Sequence, residues 1–179
     1  MHPEGYTVCR LALDDAAALA AAYDRNREHL KPWEPTRPDA FFTEAGQRET
    51  ISGRLDQVAQ GLYDCWLLWH GHDVVGAANL QNIVRGAMQG ADVGYWIDHG
   101  HLRRGLGVAT LEFLVERAHE LNLHRLGGST NVANLPSQQV LRRCGFQEYG
   151  RIPEFLYLDG AWQDSILFNL VLHDGPPRG

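Results

Sequence analysis

The chain has 179 residues, 44% hydrophobic and 21% charged, with a net charge of −6 at neutral pH. These proportions suit a globular fold and exclude a disordered chain, while the acidic balance argues against duplex nucleic acid as the ligand. No apolar run approaches the ~18 residues of a membrane span, and Met1-His2-Pro3-Glu4-Gly5 lacks the basic and apolar segments of a signal peptide.

Residues 6–13 alternate apolar and polar side chains and predict an opening strand. Asp14 or Asp15 is then placed to cap an alanine-rich helix running to about Arg27, because a short carboxylate accepts the unpartnered N–H groups of a first turn. Three prolines within 31–38 exclude helix there and predict an extended loop. Thr43 starts a second helix that stops near Gly61. Strands follow at 63–69 and 74–83, joined by His70-Gly71-His72-Asp73, and a turn over 85–90 leads to a β-rich segment at 91–97. After a loop over 98–104, residues 105–121 carry Leu111, Leu114, Val115, Ala118 and Leu121 at helical spacing. A strand at 125–130, a helix at 134–143 and strands at about 146–158 and 163–172 close the pattern. The expected fold is α/β (α+β): one domain over 1–173 with a tail over 174–179. A mostly antiparallel, seven-stranded sheet carries about four helices, and one βαβ unit joins strand 91–97 to strand 125–130.

Cys9, Cys65 and Cys144 are far apart and odd in number, which reads as reduced thiols in a cytoplasmic protein. Cys144 reads as core packing. His70-x-His72 and His99-x-His101 lie in turns without a third ligand nearby, so no metal is expected.

The strongest chemical signal is Arg103-Arg104-Gly105-Leu106-Gly107-Val108, between a strand and a helix. Glycines let backbone approach a ligand, and the first N–H groups of a helix have no internal partners. With the helix dipole and two arginines, they form an anion site suited to a pyrophosphate. A side chain at Gly107 is expected to crowd those phosphates. A dinucleotide fingerprint is opposed by Thr110, and a Walker loop by the absent Gly-Lys-Ser/Thr. The plainer alternative is a tight strand-to-helix turn flanked by solvated arginines.

With Asn134, Ser137, Val140-Leu141 and Gly145-Phe146 added, the chain resembles the GNAT superfamily of acetyl-CoA-dependent N-acetyltransferases. The likeness departs at Leu102, where the family motif has glutamine or arginine. Asn26…Leu30…Trp33, Gly94-Tyr95-Trp96-Ile97 and Glu154-Phe155-Leu156 narrow it to the branch that acetylates N-termini of ribosomal proteins, the RimJ/RimL type. The match runs in order from about Tyr6 to Leu172.

The resemblance implies direct attack of an amine on bound acetyl-CoA. It also implies a splayed strand whose backbone at Tyr95, Trp96 and Ile97 polarises the thioester, and an Asn134 that holds the pantetheine arm or orders the loop. It makes Glu154 the base, Asp92 being the second candidate, since the fifth-strand glutamate of a related branch is replaced by Ser129. It makes Ser137 the acid, because the tyrosine that many members use falls at Leu141. Trp33, Trp96, Asp92 and Phe155 are placed around the acceptor cleft. An α-amine, with a pKa of ~7.7–8.0, asks less of a carboxylate base than a lysine at ~10.4. Three readings stand: transfer to a protein N-terminus, transfer to a small amine such as an antibiotic or polyamine, or a non-catalytic acyl-CoA-binding module. The partners implied are acetyl-CoA and an amine acceptor, without nucleic acid or membrane, and the branch often forms homodimers.

Overall fold

Strands Tyr6–Arg10 (β1), Asp64–His70 (β2), Asp73–Val84 (β3), Gly90–Ile97 (β4), Arg125–Asn131 (β5), Gln147–Leu158 (β6) and Ala161–Val171 (β7) form one sheet. Its order is β1-β2-β3-β4-β5-β7-β6. This computed structural model describes residues 3–176, so Met1, His2 and positions 177–179 of the expected tail lie outside the described residues. Every neighbouring pair is antiparallel except β4 and β5, which run parallel. The connection from β4 to β5 is the expected βαβ unit, since parallel neighbours need a long connection, and β7 then inserts between β5 and β6.

Among the described residues five α-helices cover the sheet: Ala16–Arg25 (α1), Arg27–Leu30 (α2), Glu44–Ala59 (α3), Leu106–Glu120 (α4) and Leu135–Arg143 (α5). Side chains of a strand alternate between faces, and the core divides accordingly. Trp66, Leu68, Val75 and Ala78 pack with Leu106, Leu111 and Leu114 of α4 and Leu141 of α5. Cys65, Leu67, Val74, Ala77 and Trp96 pack with Leu19 and Tyr23 of α1 and Ile51 of α3. No helix among the described residues is long and apolar enough to cross a membrane.

The alanine-rich segment departs from expectation. A 3-10 turn at Leu13–Asp15 precedes α1, and the Asp15 carboxylate accepts the Ala12 N–H at 2.8 Å instead of capping α1. The helix then stops at Asn26, and the short α2 is the addition to the four helices expected. No proline or glycine causes that break; the Asn26 side chain, fully buried, is held by groups on α1 and on the far side of β4.

Candidate active site

Pairing between β4 and β5 is confined to Gly90–Arg125, Ala91–Leu126 and Asp92–Gly127. Beyond Asp92 the two strands part, which leaves the β4 backbone from Val93 to Ile97 without its parallel partner. This is the splay that the resemblance implies. Asp92, the second candidate base, accepts a hydrogen bond from Asn82 Nδ2 at 2.9 Å. Asn82 reaches it because β3 bulges there, with Asn82 at φ +53.

The connection from β4 to α4 passes through a 3-10 turn at His99–His101 and then Leu102-Arg103-Arg104-Gly105. Gly105 is the N-cap of α4 at φ +79, a left-handed conformation that glycine adopts without strain, and no side chain caps the helix. The first-turn N–H groups at Leu106, Gly107 and Val108 therefore point outward from an uncapped helix start. A Cβ added at Gly105 would meet nothing within 4 Å. Arg103 and Arg104 flank the turn and are exposed, and Leu102, at the position of the family's polar residue, is exposed too. Open space, free donors and two guanidinium groups fit the diphosphate of a coenzyme A.

Tyr95, on the parted segment, reaches the α4–α5 side, where its hydroxyl lies 3.2 Å from Ser137 Oγ. Burial pushes the Tyr95 phenol up to about 12, with the hydrogen bond it shares with Ser137 acting the other way, so it stays protonated through the neutral range. Ser137 stands in the first turn of α5, and Asn134 caps that turn by accepting the Ser137 N–H at 3.2 Å. The cap fixes the serine in front of Tyr95, which gives Asn134 an ordering role. Val140, on the same helix, faces Gly107. Cys144 is half-buried at the end of α5, and burial raises its thiol to about 11, as a packing residue requires.

Trp96 points the other way from Tyr95. Its ring is 9% exposed in the α1–α3 core, and its Nε1 donates to the Tyr23 hydroxyl at 3.2 Å. Any contact of Trp96 with the cofactor is through its backbone. Trp33 is half-buried in the turn after α2. Glu154 and Phe155 are exposed on β6, where the register with β7 shifts between Ile152 and Leu156. Glu154 adopts φ +49, unusual for a residue with a side chain, and Asp164 holds it there by accepting its N–H at 2.9 Å. That bond, with Arg151, keeps the Asp164 carboxyl below its ordinary range.

Several polar groups were not legible as a set from the sequence. Asp98, 2% exposed, accepts from Arg25 Nε and Asn26 Nδ2, both at 2.8 Å, and from the Gly100 N–H at 2.7 Å. Asn26 Oδ1 in turn accepts the His99 N–H at 2.9 Å. The break between α1 and α2 is thus tied to the turn that leads into the glycine loop. Histidines from separate turns also meet: the His70 and His101 rings stand 5.1 Å apart, and the Tyr6 hydroxyl lies 2.9 Å from His101 Nδ1. Among the described residues no three histidine, cysteine or acidic side chains cluster closely enough to hold a metal.

A glycine-started helix aimed at the mouth of a parted parallel strand pair is the layout of an acyl-CoA-dependent transferase. The acetyltransferase (GNAT) domain profile matches residues 7–147, and the chain belongs to that family and is an acetyltransferase. It is 30% identical to the [Ribosomal protein uS5]-alanine N-acetyltransferase of Escherichia coli over 182 residues, which covers 95% of this chain and 90% of the relative. The ribosomal-protein-S5-alanine acetyltransferase of Vibrio fischeri superposes with a TM-score of 0.94 at 29% identity, covering 99% of this chain and 98% of that one. Mycobacterium smegmatis RimJ, solved with a CoA disulfide, superposes at 0.88 with 26% identity, over 93% of this chain and 81% of that one.

Proposed function

We propose that this protein, acting in the cytoplasm, transfers the acetyl group of acetyl-CoA to the N-terminal α-amine of a protein. Ribosomal proteins are the acceptor class that the names of its relatives supply. The observation that carries this reading is the parted β4–β5 pair, with the uncapped α4 and the Tyr95–Ser137 pair both on one side of the opening. The diphosphate lies on Arg103, Arg104 and the N–H groups of residues 105–108, and the thioester carbonyl takes a hydrogen bond from the free β4 backbone.

The neutral amine attacks the carbonyl carbon, and the Glu154 carboxylate takes the proton that the amine loses. As the carbon–sulfur bond breaks, Ser137 gives its proton to the sulfur, and the proton that Glu154 took passes through water to restore the serine, so coenzyme A leaves as a thiol. Tyr95, protonated throughout, donates to Ser137 Oγ and leaves the serine proton aimed at the sulfur. The left-handed backbone of Glu154 supports its role, because such conformations persist where the surroundings enforce them and gather at functional sites.

Coenzyme A thiol release tests this reading. A peptide with a free α-amine and no lysine should turn over, and an N-blocked peptide carrying a lysine should not. Glu154→Gln and Ser137→Ala should each lower kcat about tenfold or more while acetyl-CoA still binds. Full activity in both variants would remove these assignments, and turnover only on small amines would move the acceptor to that class.

A further inference from the structure

A cavity of about 200 Å³ opens between α1, the turn after α2 and the 3-10 turn at Asp39–Phe42. Tyr23, Leu30, Phe41 and Phe42 supply its apolar wall, and Glu34 and Arg37 supply its polar one. It adjoins the parted segment of β4, because the Tyr23 ring lies 5.1 Å from the Trp96 ring and 4.8 Å from Phe41. Tyr95 and Trp96 point to opposite faces of the sheet. The cavity therefore lies on the face of the sheet opposite Ser137 and the α4 helix start, with the Tyr23–Trp96 pair between it and β4. Two reactants that meet without a covalent enzyme intermediate need such a two-sided approach.

The charges around the cavity differ in how they are satisfied. Arg27 pairs with Asp24 and Asp39, and Lys31 stands 3.6 Å from Asp159 in the β6–β7 turn. Arg37 lies over the Phe41 ring. Glu34 is fixed by its backbone, whose N–H donates to the Leu30 carbonyl at 3.0 Å. Its carboxylate, half-buried, has no side-chain hydrogen bond or ion pair among the described residues. Burial pushes that carboxyl above its ordinary value, against the charges of Arg37 and Arg54. A half-buried carboxylate that takes no hydrogen bond, and on which Arg37 and Arg54 act only through space, is costly, and a cationic ligand relieves that cost.

We propose that this cavity takes the first residue of the acceptor and that the Glu34 carboxylate binds its α-amino group. The inference rests on the acetyl-transfer reading above and adds the group that selects the amine. The cavity holds about six or seven water volumes, which suits a residue with a short side chain. Arg37, in the same lining, stands to donate to the carbonyl oxygen of the first peptide bond.

The test is binding to the protein saturated with coenzyme A, measured by calorimetry. The probes are a lysine-free peptide beginning with alanine and its N-acetylated twin. The wild type should bind the free amine about tenfold tighter, and Glu34→Gln should bring the two within about twofold while melting temperature and acetyl-CoA affinity hold. Glu34→Asp should restore part of the preference. In steady state, Glu34→Gln should raise the acceptor KM about tenfold with little change in kcat. Equal affinities for the two peptides in the wild type, or a preference that survives Glu34→Gln, would overturn the proposal. So would a loss confined to kcat, which would make Glu34 a base. Because the binding measurement needs no turnover, failure of the wild type to release coenzyme A would count against the acetyl-transfer reading alone.

Discussion

Replacing Asp98 by alanine should lower the free energy of unfolding by about 3–5 kcal/mol, the range for removing one partner of a buried charge pair. Its carboxylate receives Arg25, Asn26 and the Gly100 N–H within 2.8 Å, and alanine would leave all three donors without an acceptor. Arg25 is partly exposed and can turn toward water, so the loss should fall at the lower end of that range; fully buried Asn26 cannot. Asp98→Asn, which keeps the shape and drops the charge, should cost about half as much. Burial works to raise the Asp98 carboxyl, but the bonds from Asn26, Arg25 and Gly100 and the Arg25 charge outweigh it and hold the group below its usual value. The folded pKa thus lies under the unfolded value of ~3.9, and the unfolded chain binds the proton first. Stability from this carboxylate is complete above that pH and is lost as pH falls through the folded pKa. Urea unfolding at neutral pH and below pH ~4 should show a gap between wild type and Asp98→Asn that shrinks in acid. A gap of equal size at both values would show that the charge contributes nothing.

The same cluster explains what the sequence could and could not reveal. Alternation and apolar runs located the seven strands among the described residues, β6 included although most of its side chains are exposed; apolar spacing located α4, and the Thr43 start and Gly61 stop located α3. Gly105 was legible because a positive-φ helix cap demands glycine. Asn26 and Asp98 are 72 residues apart, and nothing local marks either as buried, so the break they impose on the first helix could not be read. The Asp15 carboxylate had two possible N–H targets, and the 3-10 turn ahead of α1 took it. Alternation did require Tyr95 and Trp96 to face opposite ways, which leaves only one of those side chains for the cofactor side. Glu34 sits between Trp33 and Pro35 in a proline-rich loop, where pattern carries no burial signal; its isolation is a product of the tertiary fold.

Gly107→Val should weaken acetyl-CoA binding by about tenfold to a hundredfold, the equivalent of the 1–3 kcal/mol that overpacking costs. The reason differs from the one the glycine pattern suggests. A Cβ at Gly107 would stand 3.2 Å from Val140 Cγ2 and 3.9 Å from Tyr95 Cε2, so the crowding falls on α5 and Tyr95 and reaches any phosphate only indirectly. Val140 is β-branched and stiff, and it cannot turn aside as a long side chain would. The start of α4 must shift away from α5, which moves the N–H groups of residues 106–108 and strains the contact between Tyr95 and Ser137. Gly105→Ala makes the complementary probe. Its Cβ would enter open space, and the cost is the left-handed backbone alone, about 1 kcal/mol of stability borne with and without ligand, so the melting temperature should fall while acetyl-CoA affinity stays within about twofold. Thermal shift separates the two effects from general destabilisation. At a hundredfold excess over Kd, acetyl-CoA should stabilise the wild type by ~2.7 kcal/mol, and the same ligand concentration should stabilise Gly107→Val by less than half as much. If Gly107→Val instead binds acetyl-CoA as the wild type does, the α4 start is a packing turn and the phosphates lie elsewhere. Because the same shift strains the contact between Tyr95 and Ser137, a true phosphate site at α4 should also lose kcat in this variant.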